Sequence, residues 1–329
     1  SHYFIFFQLH PPPPSPPFPY TTLVRAAPPI VSGGKIYVGE GLHTAPNSGL
    51  TALSYPDGKP IWERRFPSHV ESYPIVDDEN ERLWIGAGTE GLWSLKTTDG
   101  TKIWHAAIGH IDSAPLYRDG ELFTNARLDE HENGSALFKL SPDTGEVIWS
   151  LPLQGNPMSN VIPVNETRLL LNNAIGQIGL NKNTDAGWVY GVDVSEPPSI
   201  AWKVKLPTMA IPDGQITRDK TVAVFGLKNG EIWALNPMTG EILWTQKCGD
   251  EFKNNVALYE DGNIPFVIGL TVDGTVNVLN ARTGYILQTF SVGTGGYSAP
   301  LYKDGMLYLT TPHFIHAYDI TGKAAADAP

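Results

Sequence analysis

The stretch Leu140-Ser-Pro-Asp-Thr-Gly145-Glu-Val-Ile-Trp149 decides the fold, because its pattern returns as Leu235-Asn-Pro-Met-Thr-Gly240-Glu-Ile-Leu-Trp244. Two further copies read Leu53-Ser-Tyr-Pro-Asp-Gly58-Lys-Pro-Ile-Trp62 and Leu95-Lys-Thr-Thr-Asp-Gly100-Thr-Lys-Ile-Trp104. A copy ending at Gln288 keeps Thr-Gly284 but has Gln in the Trp slot, and one ending at Trp202 has Pro197-Pro198 in place of Thr-Gly. A last copy stops at Gly322. The spacing is about 42 residues, stretched in the fourth unit. Each unit also opens alike: Pro115-Leu-Tyr-Arg-Asp-Gly120 matches Pro300-Leu-Tyr-Lys-Asp-Gly305. Asp-Gly supplies the positive φ of a tight hairpin, so each unit reads as a four-stranded antiparallel meander. Four strands per 40–50 residues is the arithmetic of a β-propeller blade.

Composition agrees. The 329 residues include 33 Gly and 28 Pro, which punctuate the chain too often for long helices. The expected fold is all-β, a seven-bladed propeller of four-stranded blades in one domain spanning 1–329. Residues 29–322 form the blades and 323–329 a tail. Phe4-Ile-Phe-Phe-Gln8 aligns with Ile242-Leu-Trp-Thr-Gln246, with Phe6 in the Trp slot. The segment 1–10 is therefore expected to pair with the last blade and close the ring, and the proline-rich 11–28 to act as a stiff spacer.

Charge narrows the partners. Thirty-four acidic against 23 basic residues give a net charge of −11. With no Lys/Arg cluster, nucleic acid is not an expected partner, and no apolar run is long enough to span a membrane. The single cysteine, Cys248, excludes an internal disulfide and a Cys-based zinc site. A chain beginning at Ser1 suits a trimmed or secreted protein, and secretion is the expectation. The sequons at Asn133 and Asn165 are candidate glycosylation sites.

The Gly-x-x-x-Trp repeat resembles the PQQ-like propeller family, which includes quinoprotein dehydrogenases and the outer-membrane assembly lipoprotein BamB. The resemblance runs from Pro29 to Gly322. It implies that Trp62, Trp104, Trp149, Trp202 and Trp244 dock between neighbouring blades. It also implies, for the dehydrogenases, eight blades, a quinone held by a Trp and an adjacent cysteine pair, and a calcium site. A BamB-like chain implies eight blades and a lipidated N-terminal Cys. Seven units and one cysteine fit neither, so no cofactor is expected.

Two consecutive units share an unusual opening, His69-Val-Glu71-Ser-Tyr73-Pro74 and His110-Ile-Asp112-Ser-Ala-Pro115. Alternate residues of an extended chain face one side, so two imidazoles and two carboxylates are expected to converge at the channel mouth. Three readings remain open. Two His with carboxylates are a metal-ligand set, here His69, Glu71, His110 and Asp112. A His oriented by a carboxylate suits general acid–base catalysis. A polar rim closing hydrogen bonds between blades is the third. Arg25 and Arg127 are the cations expected to bind an oxyanion or polarise a carbonyl. Arg127 falls in a long loop, Asn125 to Ser135, shared with Asp129, Glu130 and His131. His43, Tyr73, Asp213, Lys253, Tyr297 and His313 are further pocket candidates. A second long loop, amide-rich, spans 172–185. The favoured function is a cofactor-independent small-molecule enzyme, a natural-product cyclase of the hetero-Diels–Alderase kind being one form. A secreted binding or scaffold propeller and a metal-dependent lyase or hydrolase are the alternatives.

Overall fold

The computed structural model describes residues 7–8, 28–41, 48–129, 134–175, 186–211, 213–261, 264–295, 298–312 and 314–319. All their regular structure is β. Among the described residues, no helix is long and apolar enough to cross a membrane.

Two compact units emerge, one from Tyr20 to Pro207, the other from Thr208 to Pro329 with Ser1–Pro19. The first holds four sheets. Sheet 1 comprises Ile30–Ser32, Lys35–Glu40, Ser48–Ser54 and Pro60–Phe66; sheet 2, Ile75–Asp77, Arg82–Gly86, Leu92–Lys96 and Lys102–Ala106. Sheet 3 comprises Leu116–Arg118, Glu121–Asp129, Gly134–Leu140 and Val147–Gln154. In sheet 4, Arg168–Ile175, Ala186–Asp193 and Ser199–Leu206 are regular, while the innermost strand is broken into Asn156–Pro157 and Ile162–Pro163.

The second unit holds three sheets. Sheet 5 is Gln215–Ile216, Ala223–Gly226, Glu231–Leu235 and Ile242–Lys247, and sheet 6 is Ala257–Asp261, Ile264–Leu270, Thr275–Asn280 and Ile286–Ser291. Sheet 7 has Leu301–Lys303, Met306–Thr310 and Ile315–Asp319, and takes its fourth strand from Phe7–Gln8, with Phe7 opposite Asp319. The antiparallel pairing expected of the N-terminal segment is thus present for these two residues. Phe4–Phe6 and the proline run 11–17 lie outside the described residues.

Sequential antiparallel order follows from the turns. Asp119 and Gly120 take φ of 50° and 79°, and Asp304 and Gly305 take 53° and 82°, the paired positive values of a two-residue hairpin. Burial grades across each sheet. Arg82–Gly86 and Leu92–Lys96 are buried almost throughout, whereas the outermost Pro60–Phe66 alternates. Inner strands are covered on both faces and so read as apolar runs.

The core sits between successive sheets. Tyr37, Leu50 and Trp62 of sheet 1 pack with Leu83, Ile85 and Leu95 of sheet 2. Trp84, Leu92 and Trp104 pack with Leu122, Ala126 and Phe138 of sheet 3. Three of the five tryptophans dock as the resemblance implied: Trp62 donates Nε1–H to Thr97 O, Trp104 to Pro142 O and Trp244 to Ala281 O, each at 2.9 Å. Among the described residues, Trp149 and Trp202 have no acceptor for Nε1. For Trp149 the facing unit is the one that lost its Thr-Gly turn.

Two expectations need correction. Asn125–Asp129 is not loop but the end of the strand Glu121–Asp129, with Arg127 opposite Ser135 and a register shift between Arg127 and Asp129. Asn172 and Asn173 likewise belong to the strand Arg168–Ile175 and are buried. Polar side chains imitate a loop in sequence, yet two of these are held inside the sheets by partners: Asn173 donates to Ser135 Oγ (2.9 Å) and Gln154 O (3.0 Å), and Asn125 donates to Asn173 (3.2 Å).

Candidate functional site

The two matching openings end up together. In each, the apolar member of the alternation, Val70 or Ile111, is fully buried. The residues on either side are therefore turned the other way. His69 and His110 are themselves buried, at 5% and 9% exposure, while the Asp112 side chain remains a third exposed. One carboxylate oxygen, Asp112 Oδ1, lies 2.7 Å from His69 Nε2 and 2.8 Å from His110 Nε2. The two Nε2 atoms are 3.2 Å apart.

Backbone pairing brings in the fourth group. His110 and Arg127 exchange both of their main-chain hydrogen bonds, each 2.9 Å, in an isolated antiparallel bridge. Residues so paired carry their side chains on one side, and the Arg127 guanidinium reaches His110 Nδ1 at 2.7 Å. His69 is seated differently. Its Nδ1 lies 3.4 Å from Ser68 Oγ, which itself accepts from the Thr89 N–H at 3.2 Å. Gly88, at φ +50°, runs under the ring, and a Cβ there would come within 2.8 Å of His69 Cε1. Ser68 and Gly88 were not apparent from the repeat, since Gly109 stands before His110 and the second copy offers no match to Ser68.

Protonation follows from the donor inventory. Arginine has only N–H donors, so Nδ1 of His110 must present its lone pair to Arg127. The proton of that imidazole then sits on Nε2 and is donated to Asp112. His69 donates its Nε2–H to the same oxygen. Burial pulls the His69 pKa down, but the Asp112 hydrogen bond and charge, helped by Glu71, outweigh it and leave the pKa above the usual 6.5. Burial alone would raise Asp112; the hydrogen bonds from His110 and His69, with the charge of His69, instead hold its carboxyl well below the usual carboxylate range.

Glu71 thus contributes charge while the other three side chains share one oxygen. Tyr73 accepts from Asn160 Nδ2 at 3.0 Å, and Asn160 Oδ1 takes the Ala114 N–H at 2.7 Å. In the other unit, Asp213 pairs with Asn255 through two hydrogen bonds, and Lys253 lies 3.9 Å from Glu251. Asn165 is exposed, its Oδ1 holding the Thr167 and Arg168 N–H groups. Arg25, His43, Asn133, Tyr297 and His313 lie outside the described residues.

Comparison with known proteins supplies context. The family model described as outer membrane protein assembly factor BamB matches residues 19–183 and 228–326. A tetrathionate hydrolase of Acidithiobacillus ferrooxidans is 27% identical over 301 residues, 86% of this chain and 50% of that protein. A quinoprotein ethanol dehydrogenase of Pseudomonas aeruginosa is 31% identical over 144 residues, 37% of this chain and 22% of that one. The chain therefore spans about half the length of the first relative, and its match to the second covers about a fifth of that protein. BamB from Moraxella catarrhalis superposes with a TM-score of 0.61 at 16% identity, covering 87% of this chain and 79% of that one, a likeness of fold.

Proposed function

The chain belongs to the PQQ-like β-propeller repeat family that includes BamB, and on that scaffold we propose an enzyme whose acid–base centre is His69, Asp112 and His110. The observation that carries the reading is the single carboxylate oxygen shared by two buried imidazoles from successive repeats. Burying two imidazoles costs stability unless each is hydrogen-bonded, and strongly perturbed titratable groups gather where chemistry is done. In this reading His69, kept protonated by Asp112, is the proton donor. Asp112 orients both imidazoles, and Arg127 fixes the tautomer of His110.

The relative named tetrathionate hydrolase favours hydrolysis over the cyclase form of the same idea. The proposed reaction is attack of water on a small anionic substrate, with His69 protonating the leaving group. Arg127 and protonated His69 balance the charges of Asp112 and Glu71, so an anion reaching the cluster meets no net negative charge there although the chain as a whole carries −11. The family's description also supports a place outside the cytoplasm.

A bound quinone does not fit. Cys248 has no neighbouring cysteine, is buried at 5% exposure and packs among Phe252, Val256 and Ile232. Burial pushes its thiol up to about 12 from 9.0. Its thiolate fraction at neutral pH falls about a thousandfold. The folded protein is expected to resist iodoacetamide at pH 8 and to react readily once unfolded; rapid labelling in the native state would contradict the packing.

The test of function is turnover of tetrathionate, alongside a panel of small organic esters and lactones, by the protein and by Asp112→Asn. Turnover that collapses in the variant supports the reading. No turnover of any of these, or equal turnover by both proteins, overturns it.

A further inference from the structure

The atoms His69 Nε2, His110 Nε2 and Asp112 Oδ1 lie 2.7 to 3.2 Å from one another. By residue type and spacing they form a two-histidine, one-carboxylate set able to hold a divalent metal. At metal–ligand distances of about 2.1 Å, cis positions of an octahedron sit about 3 Å apart, which these separations resemble. We infer that Arg127 nevertheless keeps this site free of metal by dictating the tautomer of His110. The inference concerns the site proposed above but rests on its hydrogen bonding and not on its activity.

A neutral histidine that ligates through Nε2 must carry its proton on Nδ1 and give it to an acceptor, usually a carboxylate or a carbonyl. At Nδ1 of His110 the partner is the Arg127 guanidinium, 2.7 Å away, and a guanidinium accepts nothing. Moving the proton to Nδ1 would set an N–H against an N–H. Leaving it on Nε2 blocks the metal's coordination position. Removing it altogether would require an imidazolate. The main-chain bridge between residues 110 and 127 holds both side chains in place, so the guanidinium cannot leave without breaking the pairing or swinging its whole side chain aside. The fixed positive charge adds repulsion toward a dication.

The described contact at His69 is of another kind. Its Nδ1 faces a hydroxyl, Ser68 Oγ, which can accept as readily as donate. The block shown is at His110, and Arg127 supplies it. This makes Arg127 a positioning residue that selects proton chemistry over metal chemistry at a site whose donor atoms would permit either.

The test uses the full chain with Zn(II) and Co(II), titrated calorimetrically and, for cobalt, by its visible d–d absorption. The wild type is expected to take up no stoichiometric metal at micromolar concentrations. Arg127→Met, which removes the donors and frees the tautomer, is expected to bind one equivalent at least tenfold more tightly. That gain should vanish in Arg127→Met combined with Asp112→Ala. Nitrogen NMR of the histidines supplies a readout independent of metal: His110 protonated on Nε2 alone in the wild type, and that preference lost in Arg127→Met. One equivalent bound by the wild type within threefold of the variant's affinity would overturn the inference. So would an Nδ1-protonated His110 in the wild type, or a folded Arg127→Met that gains no metal. None of these outcomes depends on turnover, so a failed activity assay leaves the inference standing and a failed metal assay leaves the proposed reaction standing.

Discussion

His69→Gln is expected to lower turnover by about 10²–10⁴-fold, the range over which a positioned acid or base acts. Glutamine retains a side-chain donor for Asp112 but cannot deliver a proton. Glu71→Gln removes only a contributing charge, and its loss is expected to stay below about tenfold. A folded His69→Gln with wild-type rates would remove the cluster from the mechanism. The pH dependence has a definite sign. The acid form of His69 is complete below its ordinary 6.5 and is lost as pH rises through its raised folded value, so activity carried by it falls on the alkaline side, and Glu71→Gln moves that limb to lower pH. Stability follows the same linkage. The contribution of His69 is fully present below 6.5 and lost above its folded pKa. That of Asp112, whose pKa is depressed, is present above 3.8 and lost as pH falls below it. The cluster therefore contributes most between these two values.

Trp104→Ala carries the largest expected effect on stability, about 3–5 kcal/mol, as for other buried aromatic truncations. The indole is 7% exposed and donates to Pro142 O across to sheet 3. It also rests on Gly145, whose φ of +74° makes the turn and whose missing Cβ leaves room for it; a Cβ there would lie 2.5 Å from Trp104 Cε3. Gly145→Ala is expected to cost about 1–3 kcal/mol through the positive φ and the displaced ring. Trp149→Ala is the internal comparison: its Nε1 has no acceptor among the described residues and its ring is only half-buried, so its cost should be clearly smaller. Urea denaturation of the three variants checks the order. Equal losses for Trp104 and Trp149 would show that the docking bond and glycine seat add nothing to simple burial.

The repeat made the sheets legible because a turn is a local event. Asp119-Gly120 and Thr144-Gly145 fix backbone angles from adjacent residues, and the strands between them follow. Sheet 4 shows where this fails. Its turn signal is lost at Pro197-Pro198, and its broken inner strand has no marker in the repeat. The buried Asn173 looked like loop because residue type reports polarity, whereas its burial depends on partners such as Ser135 and the Gln154 carbonyl, which come from another part of the chain.

The site divides along the same line. Period-two alternation within His69-Val-Glu71 and His110-Ile-Asp112 was enough to put each His beside a carboxylate and to set Val70 and Ile111 inward. It treated the two openings as equivalent, which the folded chain does not. Asp112, and not Glu71, became the shared acceptor. Arg127 came to His110 through a main-chain bridge to a strand 17 residues away, and Ser68 took the corresponding position at His69. The sequence by itself determined the all-β repeat and the blade count, because each depends on residues a few positions apart. Only the tertiary structure decided which group each imidazole nitrogen faces and which carboxylate the two imidazoles share. Those depend on which donors and acceptors converge from separate strands, and a hydrogen bond forms only where two such groups come within about 3 Å of each other.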